Sequence, residues 1–366
     1  MKSSSGNHYI ALDHVRAMAA LIVFTWHFLH SINGFPIPFE FVPALPPFAI
    51  LDEGHTGVAL FMTLSGYLFG KLLDGKQVHY GRFFWNRIVR LVPLLAFVML
   101  AAGVVRYLDG ADMNRYFWEL AKGFYLPSWP NGGWSIAVEF HYYAVLPILL
   151  WLLRRSKLLP LAVVLAAIAL RVALYLRYGE VHTWSYWTLI GRIDQFVLGM
   201  VAFHFRSVVA GRHWLAFLVF AAFSAFYWAF DAQGGFFRDP SYPSPNPLWI
   251  VLPTIEGAAF GLMIAWYDNS FAFRTSGWSK WLGRIGDYSY SMYLLHFFFV
   301  FAAARFVHQR IADLSNFYVA CLWAVAAFAC MLPLCHLSFR FLEAPFLRLR
   351  KPYVIAGPQA GPPERV

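Results

Sequence analysis

The sequence predicts an all-α membrane protein, a polytopic bundle of about ten transmembrane helices with both termini in the cytoplasm. Three observations carry that prediction. The 366-residue chain is 60% hydrophobic and only 13% charged, about half the charged share of a soluble domain. Apolar runs of about 18–22 residues recur from end to end, each long enough to cross ~30 Å of hydrocarbon. The basic residues fall in short segments between those runs rather than along them.

The runs cover residues 10–29, 57–73, 88–105, 134–153, 158–175, 186–203, 214–230, 248–266, 288–306 and 317–339. With the N-terminus inside, and residues near a run's end counted with the adjoining segment, nineteen of the 29 Lys and Arg lie inside and eight outside, leaving Arg16 and Arg192 within runs. Cytoplasmic loops carry the basic excess, so the expectation is a multi-pass protein of the cell (inner or plasma) membrane. The net charge of +10 is thereby a topology signal. Helices this apolar offer no continuous basic face for phosphate tracking, which excludes nucleic acid as a partner.

The first run opens LDHVRAMAALIVFTWHFLHS and carries Arg16 and His27, about 16 Å apart along a helix axis. It is full length and holds an arginine, so it is expected to stay as a span and not to be cleaved as a signal. Ionisable groups inside a membrane helix are functional candidates by default. A histidine near a membrane interface is also an ordinary occurrence, and His27 alone would not decide. The fourth run begins WSIAVEFHYY, where Glu139 lies at a depth that could match His27, orient its tautomer and hold its protonated form. His141 and Tyr142 on the same segment are substitutes for that role.

The segment GRFFWNRIVRLVP puts Arg87 and Arg90 on one face at the start of the third run. They are either ordinary topology-setting charge or a phosphate clamp, since guanidinium groups grip phosphates in fork geometry. Arg16 points to the same leaflet, and three converging arginines suit a polyanionic cytoplasmic donor. No Walker-type or GxGxxG loop is present. In the sixth run, WTLIGRIDQFVLG, Arg192 and Asp194 are two apart and do not share a helical face. Each is expected to pair elsewhere, structurally or around substrate, with Glu139 one available partner. His296, in SMYLLHFFF, reads as a core histidine.

Outside the runs, NGFPIPFEFVPALPPF and DAQGGFFRDPSYPSPNP are proline-dense and expected to form rigid, non-helical cover. Trp129, Trp134, Trp184, Tyr186 and Trp187 at run ends read mostly as an interfacial belt. Cys321, Cys330 and Cys335 lack disulfide or zinc spacing and read as buried helix residues. No metal is expected.

In this order the motifs resemble those of acyltransferase family 3, membrane proteins that acylate hydroxyls on glycans and other exported molecules. The matching pieces are Arg16 and His27 with ten residues between them, GHTGVALFMTLSGYLFG from Gly54, the Arg87 and Arg90 pair, and WSIAVEFHYY from Trp134. They continue with GRIDQFVLG from Gly191, LGRIGDYSYSMYLLH ending at His296, and FLEAPF with Glu343. The resemblance covers residues 8–347 as one transmembrane domain. It leaves 348–366 as a basic, Pro/Gly-rich cytoplasmic tail expected to be disordered. His14 and Thr63 depart mildly from the family pattern. No SGNH-type domain follows the last span, so transfer would finish in the membrane domain or on a separate protein.

The resemblance implies an O-acyltransferase that moves an acyl group, expected to be acetyl, from cytoplasmic acyl-CoA to a hydroxyl. The acceptor would be a glycan, a lipid-linked sugar or another exported molecule. Acyl-CoA is a co-substrate, and no permanently bound cofactor is implied. His27 and Glu139 would be catalytic, and Arg16, Arg87 and Arg90 would bind the donor. Trp134, Ser135, His141, Arg192, Asp194, His296 and Glu343 would form the acceptor site or support it. The rival from another class is a secondary transporter or flippase, which also places ionisable groups mid-membrane. Against it stand the lack of an internal repeat and of paired, Gly/Pro-interrupted spans. A polytopic scaffold gives no reason for Arg16 and His27 inside a span.

Overall fold

The computed structural model describes residues 9–31, 34–237 and 242–355. Its longer helices, in chain order, are α1 (Ile10–Leu29), α2 (Thr56–Leu73), α3 (Tyr80–Leu108), α4 (Met113–Lys122), α5 (Gly133–Arg155), α6 (Leu161–Tyr178) and α7 (Leu189–His204). There follow α8 (His213–Ala232), α9 (Leu252–Ser270), α10 (Gly277–Asp287), α11 (Ser289–Leu295), α12 (Val300–Arg310) and α13 (Phe317–Ser338). Among the described residues the sheet is one antiparallel pair, β1 (Gln77–Val78) against β2 (Val354–Ile355).

Each of the ten apolar runs is helical over most of its length. Among the described residues, six helices are by length and composition apolar enough to cross a membrane: α2, α3, α5, α6, α8, and α13 with its continuation to Leu347. The pair α11 and α12 passes as a seventh, bent by 61°. The three that fall short are α1, α7 and α9. α7 has only 16 residues, while α1 carries Asp13, His14, Arg16 and His27, and α9 carries Glu256 and Asp268. Counting apolar runs gave ten because it ignores how much polarity a helix can hold once its neighbours satisfy it.

Those polar helices occupy the centre. α2 and α7 cross at Gly66 and Gly199, where a Cβ would meet Phe196 O at 1.9 Å and Thr63 O at 2.0 Å. Only hydrogen fits there, the device by which membrane helices approach closely. α9 packs against both, and α1 lies between α2 and α10. A Cβ on Gly286 would meet Asp13 O at 1.9 Å, so α10 seats directly on the start of α1. His14 locks that contact. Its Nε2 faces Ser279 O at 2.8 Å and therefore donates, so Nδ1 accepts from Tyr267 Oη at 3.0 Å.

Two buried networks satisfy the central charges. Arg171 donates to Asp194 at 2.6 Å and to the carbonyls of Ile250, Ile190 and Gly191. Glu256 accepts from Thr56 at 2.8 Å, Tyr227 at 2.5 Å and Gln195 at 2.8 Å, with Arg192 at 3.6 Å. Arg192 and Asp194 thus take different partners, as their spacing requires, but Arg192's carboxylate is Glu256 and not Glu139.

Both described chain ends meet at one end of the bundle, where Lys71 lies 4.5 Å over the Tyr9 ring and β1 pairs β2. This is the terminal end. At the opposite, distal end the two proline-rich loops pack together. The Phe39 and Phe237 rings lie 4.6 Å apart, Trp228 Nε1 of α8 donates to Pro43 O at 2.9 Å, and Phe236 N donates to Glu53 at 3.0 Å. The cover includes helical turns at Pro46–Phe48, Ala49–Asp52 and Pro247–Ile250, because proline fits the first turn of a helix. It is therefore less uniformly non-helical than composition suggests.

The tail expectation also needs correction in its first part. Residues 349–355 return to α3 and end in β2, because backbone pairing and Asn86 hold a segment that composition alone cannot order. Residues 356–366 of that tail lie outside the described residues.

Candidate active site

The depth of the first helix sets Arg16 and His27 into two different cavities. The inner one, about 850 Å³ of atom-free space open to solvent, is lined by Arg16, Ser65, Arg87, Arg90, Glu139 and Tyr290, among others. Its chemistry is cationic at the wall. Arg16 pairs with Asp13 one turn away. Arg87 lies over the rings of Phe69 and Phe83 at 5.4 and 5.5 Å. Arg90 approaches Glu343 at 3.5 Å. Glu343 sits in a π-helical turn, Phe339–Glu343, and accepts from Ser291 Oγ at 2.5 Å. A π-turn re-aims a side chain off the regular helix face, and here it aims a carboxylate at Arg90.

Glu139 belongs to this inner cavity. Its carboxylate accepts from Tyr143 Oη and, at 3.4 Å, from Ser65 Oγ, and Arg87 lies 6.0 Å from the Tyr143 ring. It makes no contact with His27. Counting residues gave the two a comparable depth, but depth fixes neither azimuth nor partner. His141, two residues on, is about 200° around the helix. It packs edge-on to Phe124 at 5.1 Å and lines neither cavity. Tyr142 stacks on Phe196 at 3.9 Å in the core.

The outer cavity, about 1460 Å³ by the same measure, opens at the distal end and is lined by His27, His30, Trp129, Trp134, Tyr186 and Phe237, among others. Four of the five residues read as an interfacial belt, Trp129, Trp134, Tyr186 and Trp187, line it. Their rings serve a concave wall because helix ends at this depth face inward as well as outward. Arg192 backs the wall, 4.2 Å from the Tyr186 ring and 5.7 Å from Trp134.

His27 finds a different partner from the one its spacing suggested. His296 Nδ1 faces the carbonyls of Tyr293 at 2.7 Å and Met292 at 3.1 Å, so it carries the proton. Its Nε2 is then a lone pair, directed at His27 Nδ1 at 3.3 Å. Val23 O also faces that Nδ1, at 2.9 Å. With two acceptors upon it, His27 Nδ1 is the N–H. Nε2 is left as the basic nitrogen of a ring that borders the outer cavity. His296 is also where α11 ends and the 3₁₀ turn His296–Phe298 begins, the bend before α12.

Val58 and Tyr293 line both cavities. Tyr293 Oη donates to Gly132 O at 3.1 Å and meets Ser135 Oγ at 2.9 Å, so Ser135, in the wall of the inner cavity, braces a ring that both cavities share. Tyr293, Tyr143, Ser65 and Glu256 were not singled out in the sequence. Glu256 was legible, as a carboxylate within an apolar run; the others needed the fold. Among the described residues no His, Cys, Asp and Glu group is arranged to hold a metal ion.

Comparison with known proteins gives one match. A family model described as "Acyltransferase domain" matches residues 9–339. No curated protein and no solved structure matches.

Proposed function

The chain belongs to the acyltransferase family matched over residues 9–339, and from that premise we propose that it is an integral membrane O-acyltransferase taking its acyl group from acyl-CoA. The acyl group is acetyl in the simplest reading, and the acceptor is a hydroxyl on a carbohydrate or another exported molecule. The observation that carries this reading is the pair of cavities meeting at Val58 and Tyr293. One is walled by guanidinium groups and the other by aromatic rings and a histidine. The first suits a polyphosphate at one end of a long donor, and the second suits a neutral polyol.

In this reading the chain has ten spans in the cell membrane, and its terminal end faces the cytoplasm. Acyl-CoA enters there, its phosphates against Arg16, Arg87 and Arg90, its pantetheine arm directed toward Tyr293. The acceptor enters from the distal end. His27 Nε2 takes the hydroxyl proton as the oxygen attacks the thioester carbonyl. The C–S bond then breaks, and the imidazolium returns that proton to the departing CoA sulfur. His296 positions His27 by fixing its tautomer, and Glu139 with Tyr143 orients Arg87 on the donor side.

The test is release of free thiol by the purified protein, given acetyl-CoA and a sugar acceptor. Acceptor-dependent release is expected. Transport of the acceptor without thiol release would support the transporter or flippase reading instead.

A further inference from the structure

After α13 and its π-turn the chain doubles back along the start of α3. Trp85 Nε1 donates to Leu349 O at 2.9 Å. Asn86 closes a two-bond ring with Lys351, Nδ2 to O at 2.7 Å and Oδ1 from N at 2.8 Å. His79 N donates to Tyr353 O at 2.8 Å. The Tyr353 ring is 2% exposed and lies 5.5 Å from Phe83. β1 and β2 then complete the clasp.

Arg350 lies between the two clasped residues Leu349 and Lys351. Its backbone is therefore fixed beside Trp85 and Asn86, next to Arg87 and about one helical turn outward of Arg90. Burial, and then the positive charges of Arg90, Arg87 and Arg16, push its pKa down to about 9. Four guanidinium groups thus share one field, and three of them, Arg16, Arg87 and Arg90, line the inner cavity. Asp13 pairs with Arg16, and Glu343 faces the charges of both Arg90 and Arg350.

We propose that Arg350 is a further donor-recognition residue, carried to the inner cavity by the C-terminal clasp, and that it meets the ribose 3′-phosphate of acyl-CoA. The proposal rests on the acyl-CoA reading above. With the thioester at Tyr293, the donor runs outward through pantetheine, then diphosphate, then the ribose 3′-phosphate. The outermost guanidinium meets the outermost phosphate.

Thiol release is measured with acetyl-CoA and with acetyl-3′-dephospho-CoA, using the full chain in detergent. Wild type is expected to prefer acetyl-CoA. Arg350→Gln is expected to raise KM for acetyl-CoA about tenfold to a hundredfold, the loss of one charge-assisted hydrogen bond. KM for the dephospho donor and kcat should stay within about twofold. Asn86→Leu, which opens the clasp but keeps the Arg350 side chain itself unchanged, should lessen the same discrimination. If Arg350→Gln does not fold, the Asn86→Leu result decides. An equal KM rise with both donors, or wild-type discrimination in the variants, overturns the role of Arg350 while leaving the acyltransferase reading intact. Failure of wild type to release thiol from either donor overturns both.

Discussion

His296 Nε2 stands 3.3 Å from His27 Nδ1, and the carbonyl contacts of both rings make it the acceptor in that contact. Two histidines on different helices therefore act in series. One is locked by carbonyls of its own helix, and the other is turned by the first.

His27→Ala is expected to lower kcat by about 10²–10⁴, the usual loss of a general base. His296→Gln should lower kcat less, with KM for donor and acceptor nearly unchanged. The double variant should be no worse than His27→Ala, because residues acting as one unit are not additive. Additive losses in kcat would show that the two histidines act separately.

Glu139→Gln is expected to act on the donor. It keeps the shape that receives Tyr143 but weakens the bond that holds the Tyr143 ring beside Arg87, a loss of about 1 kcal/mol. Donor KM should rise about fivefold while acceptor KM holds. A change confined to acceptor KM would place Glu139 with the outer cavity after all.

Glu343→Gln tests the π-turn. With its charge gone, Arg90 loses the carboxylate that aims it, and donor KM should rise severalfold at constant kcat. Moving the same loss to kcat alone would mean that Arg90 does not bind donor.

Arg171→Ala is expected to destabilise the folded protein by about 3–5 kcal/mol, the cost of leaving Asp194 buried and uncompensated. Thermal unfolding in detergent reads it. Replacing Arg171 and Asp194 together by leucine should recover much of the loss. A double variant no more stable than Arg171→Ala would show that the carbonyl bonds of Arg171 matter more than its charge pair.

Topology is read by labelling single cysteines in a Cys330→Ser background. Ser156→Cys, beside the terminal end, should be shielded from an impermeant outside reagent in intact cells. Ala111→Cys, at the other end of α3, should react. The reverse pattern would invert the proposed orientation.

Apolar run length and charge placement are enough to show a helical membrane protein, and the order of the motifs points to the acyltransferase family. Composition, run length and the separation of Arg16 from His27 are properties of a linear chain, and they survive into the fold unchanged. Even the separate pairing of Arg192 and Asp194 follows from helix geometry. Which side chains meet was decided only by tertiary structure. A residue's depth can be counted along its helix, but its partner depends on how neighbouring helices are rotated. That rotation is set by close approaches such as Gly66 on Phe196 and Gly199 on Thr63. It gave His27 to His296 instead of Glu139, and Arg192 to Glu256. It also brought Arg350 next to Arg87, because a backbone clasp of a few hydrogen bonds joins segments some 260 residues apart, as in Asn86 to Lys351 at a separation of 265.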